Sequence, residues 1–391
     1  MRKISLILFI ALISYITVRG QRLINSADYP IQKIRVVIEQ AQGGTVSENI
    51  RGLKYILLKG NKNNLVDFIS DFKVSNDRIG VIGSISSGGS FYVYDKEGEL
   101  LKKVNKNDTG IHKDNSGVFY KIDKEGEDFK LTSGNLVSQY LFSKNGDFLD
   151  TVKTNYLAGL PPKYLRLNDK SHFEYKGPFY WNGRKDNNVL LLNDSALIKF
   201  NSQDTNTTYY SMSEGFFKLN EEIAYLSIAQ KNQIYELDNT GVKQIYDFSF
   251  PMNNTLREED KLKFKNMNDL INYLSDHSSK IIEIGRVVRF KNYLIFSVIL
   301  GSGPNWLAYD VASKNIYNLS NIVPDKSNDY LSFLSNNYLA TDGEFLYSII
   351  YPQDIRSAIN KSESEKHTMH KSYLDLQKSN NPLLVKFQLN L

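Results

Sequence analysis

The stretch Ser90–Val104, SFYVYDKEGELLKKV, decides how the chain is read. Phe91 to Asp95 is aromatic and β-branched, which suits a strand. Lys96-Glu97-Gly98-Glu99 then reverses the chain, and Leu100 to Val104 returns. A turn of this length needs a residue at positive φ, which glycine adopts with least strain. The stretch therefore predicts a hairpin. It matters because it recurs. Tyr140–Val152, YLFSKNGDFLDTV, aligns on Tyr92–Val104 without a gap, 48 positions later, with Gly146 on Gly98. Tyr235–Phe248, YELDNTGVKQIYDF, is a looser copy in which Tyr235, Leu237, Asp238 and Gly241 hold the register. Asp123–Glu127 repeats DKEGE letter for letter only 28 positions after Asp95, which is too close for a whole unit. It reads as an inner hairpin of the same period.

A period of 40 to 50 residues with about four short strands in each is the signature of propeller blades. Six units fit between Leu53 and Leu391. The first holds Leu65–Phe72, Arg78–Ile82 and the opening hairpin; the second holds Tyr140–Val152. Strands at Val189–Leu192, Ala196–Phe200 and Thr207–Met212, with a turn near Gln203-Asp204, are expected in the third. The fourth contains Tyr235–Phe248. The fifth contains Val287–Phe290, Tyr293–Leu300 and Trp306–Leu319, with a glycine-free turn at Ala312–Asn315. The sixth contains Tyr338–Leu339, Phe345–Ile350 and Leu383–Leu389, one strand short. Leu53–Leu58 stands unassigned, and is expected to pair beside Leu383–Leu389 and so close the ring. The fold class expected is all-β: a six-bladed β-propeller over 53–391, after a lead segment at 21–52. Two small helical inserts are expected at about 256–277, where Leu262, Met267, Leu270, Ile271 and Leu274 have helical spacing, and at about 354–379.

Composition bounds the rest. Of the 391 residues 41% are hydrophobic, with 25 Tyr and 21 Phe, enough for a large core of half-buried pleated surfaces. There is no cysteine, which excludes disulfides, thiolate metal sites, cysteine nucleophiles and a lipid-anchored cysteine. Residues 1–20 read as a signal peptide: Arg2-Lys3, the apolar run Ile4–Ile16, and small Val18 and Gly20 before a cut at Gln21. The run is too short for a comfortable membrane span, which needs about 20 apolar residues. The mature chain is expected in the periplasm, cell envelope or extracellular space, with no integral span, as a monomer and not as a lipoprotein. Setting aside Arg2, Lys3 and Arg19 leaves 45 basic against 43 acidic residues. Without a concentrated basic face, nucleic acid is not an expected partner.

Three regions, Leu53–Val104 with its DKEG turn, Ile234–Leu274, and Ala340–Pro352 with Asn380–Leu391, resemble the bacterial six-bladed β-propeller family of exported proteins, distantly akin to NHL-repeat propellers. The resemblance implies the fold and export; it implies no reaction. Members often carry a Gly-Pro segment after the first blade, and Asn105–Gly117, NKNDTGIHKDNSG, has no proline.

Chemistry is less legible. His367 and His370 (HTMH) have i, i+3 spacing, but no glutamate completes a zinc-protease pattern, and they read as surface histidines of a polar insert. No Ser-His-Asp set, G-x-S-x-G elbow or phosphate-cradling loop is evident. The candidate ligand-binding residues are Tyr180, Trp181, Arg184 and Trp306, because a tryptophan beside a Gly-rich turn can stack on a sugar or peptide side chain; packing between blades is the competing reading. The expected function is a binding or scaffold module for a glycan, peptide or protein partner, with no cofactor and no metal. The alternative is a propeller enzyme, a metal-assisted lactonase, hydrolase or lyase with its site at the central channel.

Overall fold

The structure is a computed structural model and describes residues 29–60, 66, 68–75, 77–83, 89–105, 119–133, 138–153, 163–176, 189–199, 215–228, 231–261, 263–264, 267–335, 338–376 and 381–391. The expected signal peptide lies outside them, as do Thr207–Met212 and Gln203-Asp204. The chain begins with β1 (Ile31–Arg35), β2 (Gln42–Thr45), the helical turn α1 (Val46–Asn49) and β3 (Ile50–Leu57). The first blade follows as β4 (Ile69–Val74), β5 (Arg78–Gly83), β6 (Phe91–Asp95) and β7 (Leu100–Val104). The second is β8 (Phe119–Glu125), β9 (Asp128–Ser133), β10 (Ser138–Phe142) and β11 (Phe148–Lys153). The third is β12 (Lys163–Arg166), β13 (His172–Lys176), β14 (Val189–Leu192) and β15 (Ser195–Lys199). The fourth is β16 (Gly215–Lys218), β17 (Ala224–Ser227), β18 (Gln233–Asp238) and β19 (Gly241–Ser249).

Helices α2 (Glu258–Lys261) and α3 (Met267–Asp276) lead to the fifth blade, β20 (Ile281–Phe290), β21 (Tyr293–Leu300), β22 (Gly303–Asp310) and β23 (Ile316–Val323). The sixth opens with β24 (Leu339–Thr341) and β25 (Leu346–Ile350), is interrupted by α4 (Pro352–Ser364) and α5 (Lys371–Leu376), and resumes with β26 (Leu383–Leu389). Each blade is an antiparallel meander. The fold is a six-bladed β-propeller.

Two compact units make up the chain. One, of Met1–Arg35, Pro162–Ser249 and Arg257–Tyr273, holds the third and fourth blades; Phe173, Leu190, Ile198, Leu226, Tyr235 and Ile245 form its core. The other, of Val36–Pro161, Phe250–Leu256 and Leu274–Leu391, holds the first, second, fifth and sixth blades. Within it β6 explains why the opening stretch is apolar throughout. Tyr92 and Tyr94 pack with the sixth blade, while Phe91 and Val93 pack with the second. A strand covered on both faces has no solvent side to make polar.

Closure is as the sequence predicts, with a longer strand. β3 pairs antiparallel with β26, from Ile50↔Leu389 to Leu57↔Leu383, and so supplies the strand the sixth blade lacks. The described part of the lead segment, from residue 29, joins the blades. β1 adds parallel to β19, and β2 adds parallel to β23, making five-stranded sheets of the fourth and fifth blades. The third blade also differs from expectation. Its first strands are Lys163–Arg166 and His172–Lys176, and its last turn is Asn193-Asp194, both at left-handed φ (47° and 63°).

The repeated turns share a construction. Asp95 Oδ1 accepts from the backbone N–H of Glu97 (3.0 Å) and Glu99 (2.8 Å), and Ser143 Oγ does the same for Asn145 and Asp147. The glycine-free fifth turn keeps the device: Asp310 Oδ1 accepts from Ala312 N, and Lys314 takes the left-handed φ of 67°. Gly98 has a second duty. Its φ is +83°, and a Cβ there would lie 2.1 Å from the carbonyl oxygen of Leu57 in β3. The Gly98 carbonyl accepts from Lys59 N at 2.8 Å, and Lys59 pairs with Glu99. The turn thus seats against the closing strand. Gly146 repeats the placement more loosely, with Lys102 of β7 at 3.2 Å from its would-be Cβ.

Gly98→Ala should therefore destabilise by more than the ~1–2 kcal/mol of left-handed strain alone. Gly126→Ala, at φ +63° with nothing within 4 Å, carries only that strain. Denaturant midpoints of the two variants should differ in that order; equal losses would show that the contact with Leu57 contributes nothing.

Candidate functional site

The first-to-second and third-to-fourth connections are short turns, such as those that Gly98, Gly126 and Gly146 mark. The long connections are all blade-to-blade or second-to-third, although the fifth blade's second-to-third link is a two-residue turn at Gly301-Ser302. They carry both helical inserts and nearly all of the residues outside the described set. Two of these connections meet in one unit: 324–335, between β23 and β24, and 351–376, between β25 and β26.

The first connection begins with Asp325. Its Oδ1 accepts from Ser327 N (2.8 Å), and its Oδ2 accepts from Ser47 N (3.0 Å) and Ser47 Oγ (2.6 Å) on α1. Burial raises the pKa of this carboxyl, but the hydrogen bonds from Ser327 and Ser47 outweigh it and hold the group far below its ordinary range. Asn328 is buried; its Nδ2 donates to Leu331 O (2.5 Å) and to the Tyr55 hydroxyl (3.1 Å). Tyr55 Oη donates in turn to Leu331 O at 3.1 Å, and its burial pushes the phenol well above its usual pKa. The next two residues, Asp329 and Tyr330, both lie at left-handed φ, 53° and 59°. Neither is glycine, so each stores about 1–3 kcal/mol of backbone strain that neighbouring contacts must offset.

The second connection supplies those contacts. Pro352 starts α4, where a missing N–H is harmless. Ile355 and Ala358 bury one face of the helix. The helix ends at Lys366, left-handed at 52°, and delivers His367 to Asp329. His367 Nε2 lies 2.5 Å from Asp329 Oδ1, with the carboxylate only 12% exposed. Asp329 Oδ2 accepts from His370 N (3.1 Å), and Asp329 O accepts from Ser362 Oγ (3.4 Å). His370 Nδ1 accepts from Ser372 N (3.3 Å), so that nitrogen carries no proton here, and the Ser372 hydroxyl donates to it as well (2.7 Å). His370 thereby caps α5 and presents Nε2–H outward.

The surface above this framework is aromatic and cationic. Tyr330 meets His367 edge-on at 5.8 Å and lies under Lys361 Nζ at 5.9 Å. Tyr373 packs edge-on against Tyr55 (5.4 Å) and His370 (6.1 Å). His370, Lys371 and Leu374 are exposed. Such a surface can stack on a sugar ring or an aromatic side chain and donate hydrogen bonds to it. It is not a hydrolase triad: Asp329 holds His367, while Ser372 bonds to His370. Among the described residues no group of three His, Asp or Glu side chains is placed to hold a metal ion.

The residues singled out from sequence fall differently. Tyr180, Trp181 and Arg184 lie outside the described residues. Trp306 is not in a loop. It sits within β22, its ring is fully buried among residues of the fifth and sixth blades, and its indole N–H donates to Ser335 O at 3.1 Å. Packing, not stacking on a ligand, is what it does here. His370 is exposed, as expected, while His367 is half-buried and its ring, with the backbone N–H of His370, meets Asp329. Asp329 and Tyr330 carry no sequence signal, since nothing in Asn-Asp-Tyr-Leu announces two left-handed residues.

A family model described as a 6-bladed beta-propeller matches residues 29–348. The chain belongs to that family. No curated protein matches the sequence. Among solved structures, an inferred exported protein of Bacteroides fragilis is similar at 12% identity and a TM-score of 0.65, over 92% of this chain and 100% of that one. A Bacteroides vulgatus protein of an uncharacterised family shows 9% identity and a TM-score of 0.45, over 87% and 97% of the two chains. At such identities the first likeness shows the fold. No described helix of this propeller is long and apolar enough to cross a membrane.

The carboxyl of Asp325 gives a pH prediction. Its folded pKa lies below the unfolded value of about 3.9, so its contribution is complete above that pH and is lost as pH falls below it. Stability measured from about pH 5 down to pH 2 should fall less steeply in Asp325→Asn than in the wild type. Parallel curves would mean that the Ser47 contact adds nothing.

Asp329→Ala should free the insert. Amide exchange across 362–376 should quicken, with an overall loss of about 1–3 kcal/mol from the orphaned partners. Unchanged exchange there would remove Asp329 from the role of anchor.

Proposed function

We propose that this propeller is an exported binding module, and that the corner built by Asp329, Tyr330 and the 351–376 insert is where it engages a glycan, peptide or protein segment. One observation carries the reading. Two consecutive non-glycine residues are held in the left-handed region by a nearly buried carboxylate that gathers His367 and His370 from a separate insert. Strain kept in place by dedicated contacts, beneath two half-buried tyrosine rings, an exposed histidine and a lysine, is typical of a recognition surface. Export is supported by the basic start and apolar run of residues 2–16 and by the likeness to an exported protein of Bacteroides fragilis. The enzyme alternative has no comparable support among the described residues.

Screening the purified mature chain against glycan and peptide arrays tests the proposal. Whatever class it retains, the double variant Tyr330→Ala, His370→Ala should lose by tenfold or more, about 1.4 kcal/mol, while its melting temperature stays within a few degrees. Retention unaffected by the double variant would place binding elsewhere. A stoichiometric, tightly held divalent ion in elemental analysis would favour the enzyme reading instead.

A further inference from the structure

The blades differ in what covers their outermost strand. On the fourth, β1 lies parallel to β19, with Ile31↔Ile245 and Lys33↔Asp247 in register, and Ile245 N donates to Pro30 O at 2.9 Å. On the fifth, β2 lies parallel to β23. The chain thus uses one mode of association twice: an extended segment added in parallel to an outer edge. Among the described residues, the outer strands of the first three blades and β3 of the sixth carry no such addition. An open edge is a template for pairing unless it is guarded.

The four open edges are guarded unequally; β3 carries the exposed Arg51 and Lys54 and has the Gly98 turn seated on it. β7 carries Lys102 and Lys103, the usual protection. On β15, Leu197 is turned to half-buried contact beside Gly241. β11 carries a lysine only at its last position, Lys153, away from its exposed apolar pair. Phe148 is 41% exposed and Leu149 50%, and Asp150 and Thr151 are exposed too. The guard beside that apolar pair is a carboxylate. Ladder pairing sets Tyr140 opposite Thr151 as Tyr235 is set opposite Ile245, so Thr151 N matches the Ile245 N–H that bonds Pro30. That N–H is taken at 2.7 Å by Asp150 Oδ1. The carboxylate closes the edge, and a cation can draw it away. A strand built like β1, IQKIR, brings apolar residues for Phe148 and Leu149 and basic ones for Asp150.

We infer that β11 is a docking edge for an extended segment of a partner protein, apolar and basic in alternation, which adds in parallel as a fifth strand of the second blade. Main-chain hydrogen bonds from Thr151 outward give the pairing, and the exchange of Asp150 from Thr151 N to the incoming cation gives selectivity. The site is remote in sequence from Asp329 and does not depend on it.

A synthetic peptide of residues 29–36, YPIQKIRV, is the probe, added at up to millimolar concentration to the mature chain. Hydrogen exchange is then followed residue by residue. The expected result is a several-fold slowing across 148–153. It should be lost in Thr151→Pro, which removes only the outward donor, and in Leu149→Lys, which keeps the ladder should the proline variant fail to fold. A peptide with glutamate in place of both basic residues should slow exchange less. No slowing at 148–153, slowing confined to 245–249 where the peptide merely replaces β1, or equal slowing by the acidic peptide would overturn the inference.

Discussion

The seat of Gly98 on the Leu57 carbonyl is the contact on which closure depends. A propeller buries blade faces against one another, and because β3 runs on into the first blade, closure needs both its ladder with β26 and a fixed seat between the sixth and first blades. Here β3 supplies the sixth blade's outer strand, and the first blade's turn closes over it. Lys59 N bonding to Gly98 O and the Lys59–Glu99 pair fix the same junction. Lys96 with Asp342, itself bonded by Tyr347, ties the two blades again. These polar contacts are partly exposed and individually weak. The backbone approach that only glycine permits is what makes them geometrically possible.

At the other end of the blades the constraint is reversed. There the chain accepts strain instead of avoiding it. Asp329 and Tyr330 stay left-handed because Asn328, Tyr55 and the insert's histidines leave no alternative arrangement for the buried polar groups. The insert is docked through its apolar face, with Ile355, Ala358 and Met369 buried, and through its polar anchors at Asp329. The result is a rigid corner whose outward side is free to vary.

The hairpins were legible because their signals are local. An Asp or Ser at the turn's start, a Gly three residues later and aromatic flanks fit within one window, so Phe91–Val104, Tyr140–Val152 and Tyr235–Phe248 could be aligned by eye. β3 was legible as an apolar strand without a partner. KYLR and HFEYK were missed because they are short and polar and owe their pairing to β14. QGGT in β2 has no pattern at all, and is a strand only because β23 offers an edge. Trp306 misled because Gly-x-Gly-Pro read as a loop, whereas Gly303 and Pro304 open a strand, where proline is tolerated. The Asp329–His367 pair joins residues 38 positions apart, beyond the reach of any spacing rule, and the histidines alone could not reveal their carboxylate.

Native-state hydrogen exchange of the mature chain under rising denaturant tests most directly whether closure rests on β3 and its seat. The account predicts that amides of Ile50–Leu57 open together with those of Leu383–Leu389 and with the Asp95–Glu99 turn, in the step that unfolds the first and sixth blades. Early, independent opening of Ile50–Leu57 while β26 and the first blade stay protected would contradict it.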